Sequence, residues 1–145
     1  MTRLVYLDTS ALAKWYLNEK GSDAVEAFLR KRAPVAISTL TIVEMRSLLG
    51  RRRREGSIDA DVEIRVGATL EDDLREGHLV RHRVEDRMVE SASALLAALS
   101  GHALRTLDAL HLAVARAIGA EELATADRVM ASAAPALGLA VARLG

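Results

Sequence analysis

Four carboxylates in this sequence stand in apolar surroundings. Asp8 follows Leu4-Val5-Tyr6-Leu7, Glu44 sits in TLTIVEMRSLL, Asp108 sits in LRTLDALHLAVA, and Asp127 follows ELATA. Burying an ionised carboxylate without a partner is costly, so something must neutralise each of them. The other acids differ. Glu63, Glu71, Asp72, Asp73, Glu85 and Asp86 lie among other charges and read as solvated helix faces. Each of the four also has a local explanation. Asp8 and Asp127 suit helix N-caps. Thr41 to Glu44 matches a capping box. Asp108, two residues after Thr106, suits the positive end of a helix dipole. Capping does not exclude a second role.

Brought together, four such acids would repel one another unless cations lay between them. Hard divalent ions with oxygen ligands are the natural solution, and Mg²⁺ or Mn²⁺ is the expected cofactor. The set suffices to hold one ion or to clamp two. Two ions about 3.5–4 Å apart support in-line displacement at phosphorus by an activated water. Competing chemistries lack their residues. The chain has no cysteine, which excludes thiol catalysis, zinc–thiolate sites and a disulfide framework. It also has no G-x-S-x-G elbow and no P-loop.

The elements that must position these acids alternate along the chain. Leu4–Leu7 reads as a short buried strand, followed by a helix over Ser10–Leu17. Gly21-Ser22-Asp23 can cap a helix over Ala24–Lys31, which Pro34 breaks. Val35–Ser38 is a second strand, and Thr41–Arg54 a helix stopped by Gly56. Ser57 can cap a helix to Glu76. A strand over His78–Val84, a helix over Glu85–Leu99 and a helix over Thr106–Ile118 follow. Glu122–Thr125, Asp127–Ala133 and Leu139–Ala142 complete the chain as strand, helix and strand. Strands separated by helices imply parallel pairing and an α/β sandwich. Asp8 and Asp127 then lie at the carboxyl edge of the sheet, where α/β ligand sites collect. Glu44 and Asp108 are expected in first helical turns that can point to the same edge.

Composition bounds the rest. The 145 residues suit one domain spanning 1–145. Twenty Lys+Arg against twenty Asp+Glu give a formal net charge of +0, which excludes a uniformly basic nucleic-acid coat. Aromatics are only 3%, too few for a base-stacking platform. No apolar run is long enough to span a membrane, and the N-terminal MTRLVYLDTSALAKWYL reads as strand and helix rather than a signal peptide. A cytoplasmic protein is expected.

Four blocks carry a family resemblance. VYLDTSALAKWYLNEKGSD, STLTIVEMRSLLGRRRREG, LRTLDALHLAVARAIG and LATADRVMASAAPALGLAV resemble, in order, the four acidic motifs of PIN-domain ribonucleases of the VapC toxin type. The resemblance covers the chain end to end. It implies a PIN-like three-layer α/β/α sandwich with a small central parallel sheet of four or five strands. It also implies metal-dependent endonucleolytic cleavage of RNA. Asp8, Glu44 and Asp108 match the three most characteristic acids, and Asp127 the fourth. Ser10 matches the small hydroxyl residue after the first acid, expected to support a carboxylate by a hydrogen bond. Thr125 stands in a similar place before Asp127. Partners implied are an RNA substrate, a small VapB-type antitoxin and a second copy of the chain.

The bases are less specific. Arg51-Arg52-Arg53-Arg54 span nearly the whole circumference of a helix and sit at its C-terminus, where cations complement the dipole. Arg46, Arg105 and Lys14 are the candidates for phosphate contacts. His111, three residues after Asp108, reads as a hydrogen-bonded core histidine more than a general acid. Two other readings stay open. One is a catalytically quiet PIN-like module that binds RNA or protein, and the other is a structure-specific DNA nuclease.

Overall fold

A computed structural model of the protein describes residues 3–145. Its centre is a sheet of five parallel strands: β1 (Val5–Leu7), β2 (Val35–Ser38), β3 (Leu79–His82), β4 (Glu122–Thr125) and β5 (Ala140–Arg143). The spatial order is β3-β2-β1-β4-β5. The chain therefore builds outward from β1 in one direction, then returns to start β4 on the other side of β1. That reversal is a topological switch point, and the crevice above it is where open α/β sheets take ligands.

The helices are α1 (Thr9–Tyr16), α2 (Ser22–Arg32), α3 (Thr39–Arg54), α4 (Ala60–Glu76), α5 (Asp86–Ala98), α6 (Thr106–Ala117) and α7 (Arg128–Ala133). A 3-10 turn over Ala134–Leu137, absent from the sequence reading, follows α7. Pleating sorts β1 between two cores. Val5 and Leu7 face the layer of α1 to α4, packing with residues such as Leu12, Leu29, Met45 and Leu70. Tyr6 faces the layer of α5 to α7, with Met88, Leu112 and Met130. All three β1 residues are buried, as expected for a strand covered on both faces. The three layers and five strands agree with the sandwich implied by the resemblance.

Three local expectations change. The third helix begins at Thr39, not Thr41. Ser38 is its N-cap, and Thr41 Oγ1 accepts from the Ser38 amide at 3.2 Å. The capping box thus lies one turn earlier than Thr41–Glu44, and Glu44 belongs to the second turn. The fourth helix is capped by Asp59, whose carboxylate accepts from Val62 N–H at 2.9 Å, rather than by Ser57. Asp is as good a cap as Ser, and the chain turns once more before the helix starts.

Candidate active site

The crest of β1 supplies Asp8, which is 2% exposed. Its side chain caps α1, accepting from Ala11 N–H at 3.2 Å. Ser10 donates to both carboxylate oxygens, at 2.8 and 2.9 Å, and Thr125 donates to Oδ2 at 2.9 Å. Ser10 and Thr125 also bind the crest of β4, because Ser10 Oγ accepts from Ala126 N–H and Thr125 Oγ1 from Asp127 N–H. The two strand ends at the switch point are thereby stitched together around one carboxylate. Burial pushes the Asp8 carboxyl above its ordinary range. His111 and the hydrogen bonds from Ser10, Thr125 and Ala11 offset that only in part.

Two further acids use helix starts. Asp127 caps α7, accepting from Met130 N–H at 2.8 Å. Asp108 is the third residue of α6 and accepts from the Arg105 amide at 3.0 Å. Each cap engages one oxygen of its carboxylate. The Asp108 carboxyl is raised, by burial first and then by the charge of Asp127, against the lowering effect of the Arg105 amide. These two carboxylates therefore share one neighbourhood.

Glu44 is held differently. Its Oε1 accepts from Thr9 at 2.9 Å and pairs closely with His111 Nε2. His111 is 2% exposed, and its Nδ1 lies 2.7 Å from the Tyr6 hydroxyl, which donates onward to Ser38 at 2.9 Å. A polar chain thus runs from the core of the α5–α7 layer to the site. Burial of Glu44 opposes its ionisation, but the hydrogen bond and charge of His111, with Thr9, win and lower its carboxyl. Asp8, Glu44 and Asp108 all feel His111.

A pH prediction follows. Stability contributed by Glu44 is fully present above its ordinary value of 4.5 and is lost as pH falls through the lower folded value. Glu44→Gln should therefore flatten the acid limb of the stability curve, read by urea unfolding between about pH 3 and about pH 6. An unchanged limb would show that the His111 contact does not hold Glu44 ionised.

Beside Glu44 and Asp108 opens a cavity of about 680 Å³, walled by Leu96, Leu104 and Leu107 and carrying Arg51 and Arg105. Of the proposed phosphate contacts, only Arg105 lies there. Lys14 sits near the far end of α1, where its ammonium donates to the Lys20 carbonyl at 2.6 Å and lies 3.6 Å from Glu19. Arg46 lies two residues from Glu44 and so about 200° around α3, with its guanidinium beside Gly67 of α4. Neither side chain lines this cavity; Lys14 and Arg46 meet other partners on other faces of their helices. Arg51, which looks like its three neighbours in sequence, lines the cavity instead. The signal that finds it is its spacing of seven from Glu44, which returns it to the same face of α3.

The donors fit a hard divalent cation. They are carboxylate and hydroxyl oxygens, Asp8 is buried with its charge incompletely compensated, and Asp108 and Asp127 repel each other. No three of the four acids bring ligand atoms within 4.8 Å of one another. Among the described residues that spacing occurs only at Asp73, Glu76 and His78, a more exposed group away from the cavity. The arrangement suits an ion that keeps several waters, as Mg²⁺ does, rather than one caged directly by protein.

The fold is an open parallel α/β sheet with Asp8 and Asp127 at the ends of the two strands that flank the switch point. Residues 5–135 match the PIN domain family. The protein is 37% identical over 142 residues to the ribonuclease VapC46 of Mycobacterium tuberculosis, covering 94% of this chain and 95% of that one. The chain therefore belongs to the PIN-domain family and, within it, to the VapC group. Solved structures share the fold. Mycobacterium tuberculosis VapC20, a toxin that cleaves the sarcin–ricin loop, superposes with a TM-score of 0.72 at 19% identity, covering 89% of this chain and 94% of that one. DNA-bound VapBC from Salmonella typhimurium gives 0.68 at 16% identity, covering 100% of both chains.

Proposed function

We propose that this protein is a VapC-type toxin, an endoribonuclease that hydrolyses RNA phosphodiesters with Mg²⁺ or Mn²⁺ at Asp8, Glu44, Asp108 and Asp127. What supports the reading is the placing of Asp8 and Asp127 at the ends of β1 and β4 on either side of the switch point, with Glu44 and Asp108 on a cavity that also holds two arginines, in a chain of the VapC group. A bound divalent ion would supply water activation and charge neutralisation at the phosphoryl oxygens. The chain's own residues do the rest. Ser10 and Thr125 orient Asp8 toward the crevice. The amides that cap Asp108 and Asp127 fix one oxygen of each. His111 and Thr9 keep Glu44 charged and aimed. A small VapB-type antitoxin is the partner that this membership supports, and a homodimer is the expected assembly. No described helix is long and apolar enough to cross a membrane.

The test is cleavage of a defined RNA by the purified protein. Activity is expected with Mg²⁺ or Mn²⁺, with complete loss in excess EDTA and recovery on adding the ion back. Products should carry a 5′-phosphate and a 3′-hydroxyl. Full activity in EDTA would sink the metal assignment. Absence of calorimetric binding at millimolar Mg²⁺ or Mn²⁺ would instead favour a quiet binding module.

A further inference from the structure

The four consecutive arginines at the end of α3 have separate fates. Arg52 pairs with Glu19 at 3.1 Å, and Arg53 with Glu63 at 3.1 Å. Arg54 folds back along its own helix, with Nη1 beside Gly50. Arg51 has no carboxylate within ion-pair distance among the described residues. It lines both the cavity of about 680 Å³ and a neighbouring groove of about 300 Å³ that runs along α3 past Ser47 to Thr9. Glu44 lines both as well. Arg105 faces the larger cavity, and its part in capping Asp108 is made by its backbone amide, so its guanidinium is not spent there.

We infer that Arg51 and Arg105 form a clamp for a backbone phosphate of single-stranded RNA next to the scissile one. Three features support it. Two guanidiniums with no carboxylate at ion-pair distance among the described residues line one cavity from different elements, α3 and the α5–α6 loop, and the charge of Arg105 also lowers the Asp108 carboxyl; such a pair suits forked recognition of a phosphate. The walls between them, Leu96, Leu104 and Leu107, are apolar. They lower the local dielectric and offer a surface to a ribose or base. The cavity ends at Glu44 and Asp108, so a phosphate held by the clamp lies one short step along a strand from the acids. The protein as a whole has no net charge, so attraction of a polyanion must be local, and these are the cations at the cleft. Neither guanidinium touches the acids' own hydrogen bonds. The clamp therefore acts on binding more than on the chemical step.

This inference rests on the ribonuclease reading, and the experiment separates the two. Anisotropy of a fluorescein-labelled 12-nucleotide single-stranded RNA is measured in EDTA, so that no cleavage is needed. Arg51→Ala should weaken binding about tenfold. It should also reduce the slope of log K against log salt by about 0.7, the share of one phosphate contact on a single strand. Arg105→Ala should act in the same direction. Arg54→Ala, which removes the same charge from the same run outside the cavity, should leave affinity within about twofold. Equal losses for Arg51→Ala and Arg54→Ala, or an unchanged salt slope for Arg51→Ala, would overturn the clamp. In a cleavage assay with Mn²⁺, Arg51→Ala should raise KM about tenfold and lower kcat by less than about twofold. A larger loss in kcat than in KM would also overturn it. Failure of the unaltered protein to cleave any RNA would overturn the ribonuclease reading and leave the anisotropy result to judge the clamp.

Discussion

Asp8→Asn is expected to lower metal-dependent RNA cleavage by about a thousandfold or more, while raising the melting temperature of the metal-free protein. The two effects have one cause. Asp8 is buried, and its carboxyl is held above its ordinary 3.8 by desolvation. A carboxyl whose folded value is raised binds its proton more tightly in the folded state. Its ionisation therefore costs stability as pH rises from about 3.8 through the folded value. The cost is present at neutral pH and is relieved when a cation arrives. Asparagine keeps the shape and the Ala11 cap, and its amide can donate to Ser10 or Thr125, so the charge is removed without emptying the site. The measurement is a thermal melt in EDTA and in Mn²⁺ beside the cleavage assay. The unaltered protein should gain stability on adding metal, and Asp8→Asn should not. A variant destabilised in EDTA would show that the hydrogen bonds from Ser10, Thr125 and Ala11 to the carboxylate outweigh its burial. Asp108→Asn should lose activity to a similar extent, with the Arg105 amide still capped and little change in stability.

His111→Ala should be the most destabilising single change at this site, by about 3 kcal/mol. It leaves a cavity beside the Tyr6 ring, strands the Glu44 carboxylate without its partner, and deprives the buried Tyr6 hydroxyl of one of its two hydrogen bonds. For a chain of this size the loss corresponds to a melting temperature lower by about 10 °C. Tyr6→Phe removes the hydroxyl that links His111 to Ser38 but leaves the Glu44–His111 contact, and should cost about 1 kcal/mol. Cleavage by His111→Ala, assayed well below its melting point, should fall more than about tenfold, because Glu44 is no longer aimed. Equal stability of the two variants would show that His111 packs the core without holding Glu44. Full activity with reduced stability would confine it to a structural role.

The acids were legible in the sequence because burial of charge is costly, and a carboxylate inside an apolar run announces a compensating partner. Placing Asp8 and Asp127 at strand ends needed only the alternation of apolar runs and helices. The capping expectations for Asp8 and Asp127 match the observed hydrogen bonds, since caps are local, and Asp108 sits in the first turn of α6 as its dipole reading expects. Glu44 was misplaced by one turn because Ser38 and Thr41 compete for the same role, and only the path of β2 into α3 selects Ser38. Local pattern could not rank the bases. Lys14, Arg46 and Arg51 look alike in a list of cations, and what separates them is which neighbour each meets.

By itself the sequence determined the alternation of strand and helix and the parallel α/β class, and it singled out the four acids proposed for the site, because these depend on periodicity, on capping and on the cost of isolated charge. Tertiary structure decided the rest. Strand order put the reversal between β1 and β4, so Asp8 and Asp127, more than a hundred residues apart, share a crest tied by Ser10 and Thr125. Packing of α6 against the sheet carried His111 to Glu44, and the cleft between α3 and the start of α6 singled out Arg51 and Arg105. Contacts of this kind are made across the sheet rather than along the chain, and no local spacing encodes them.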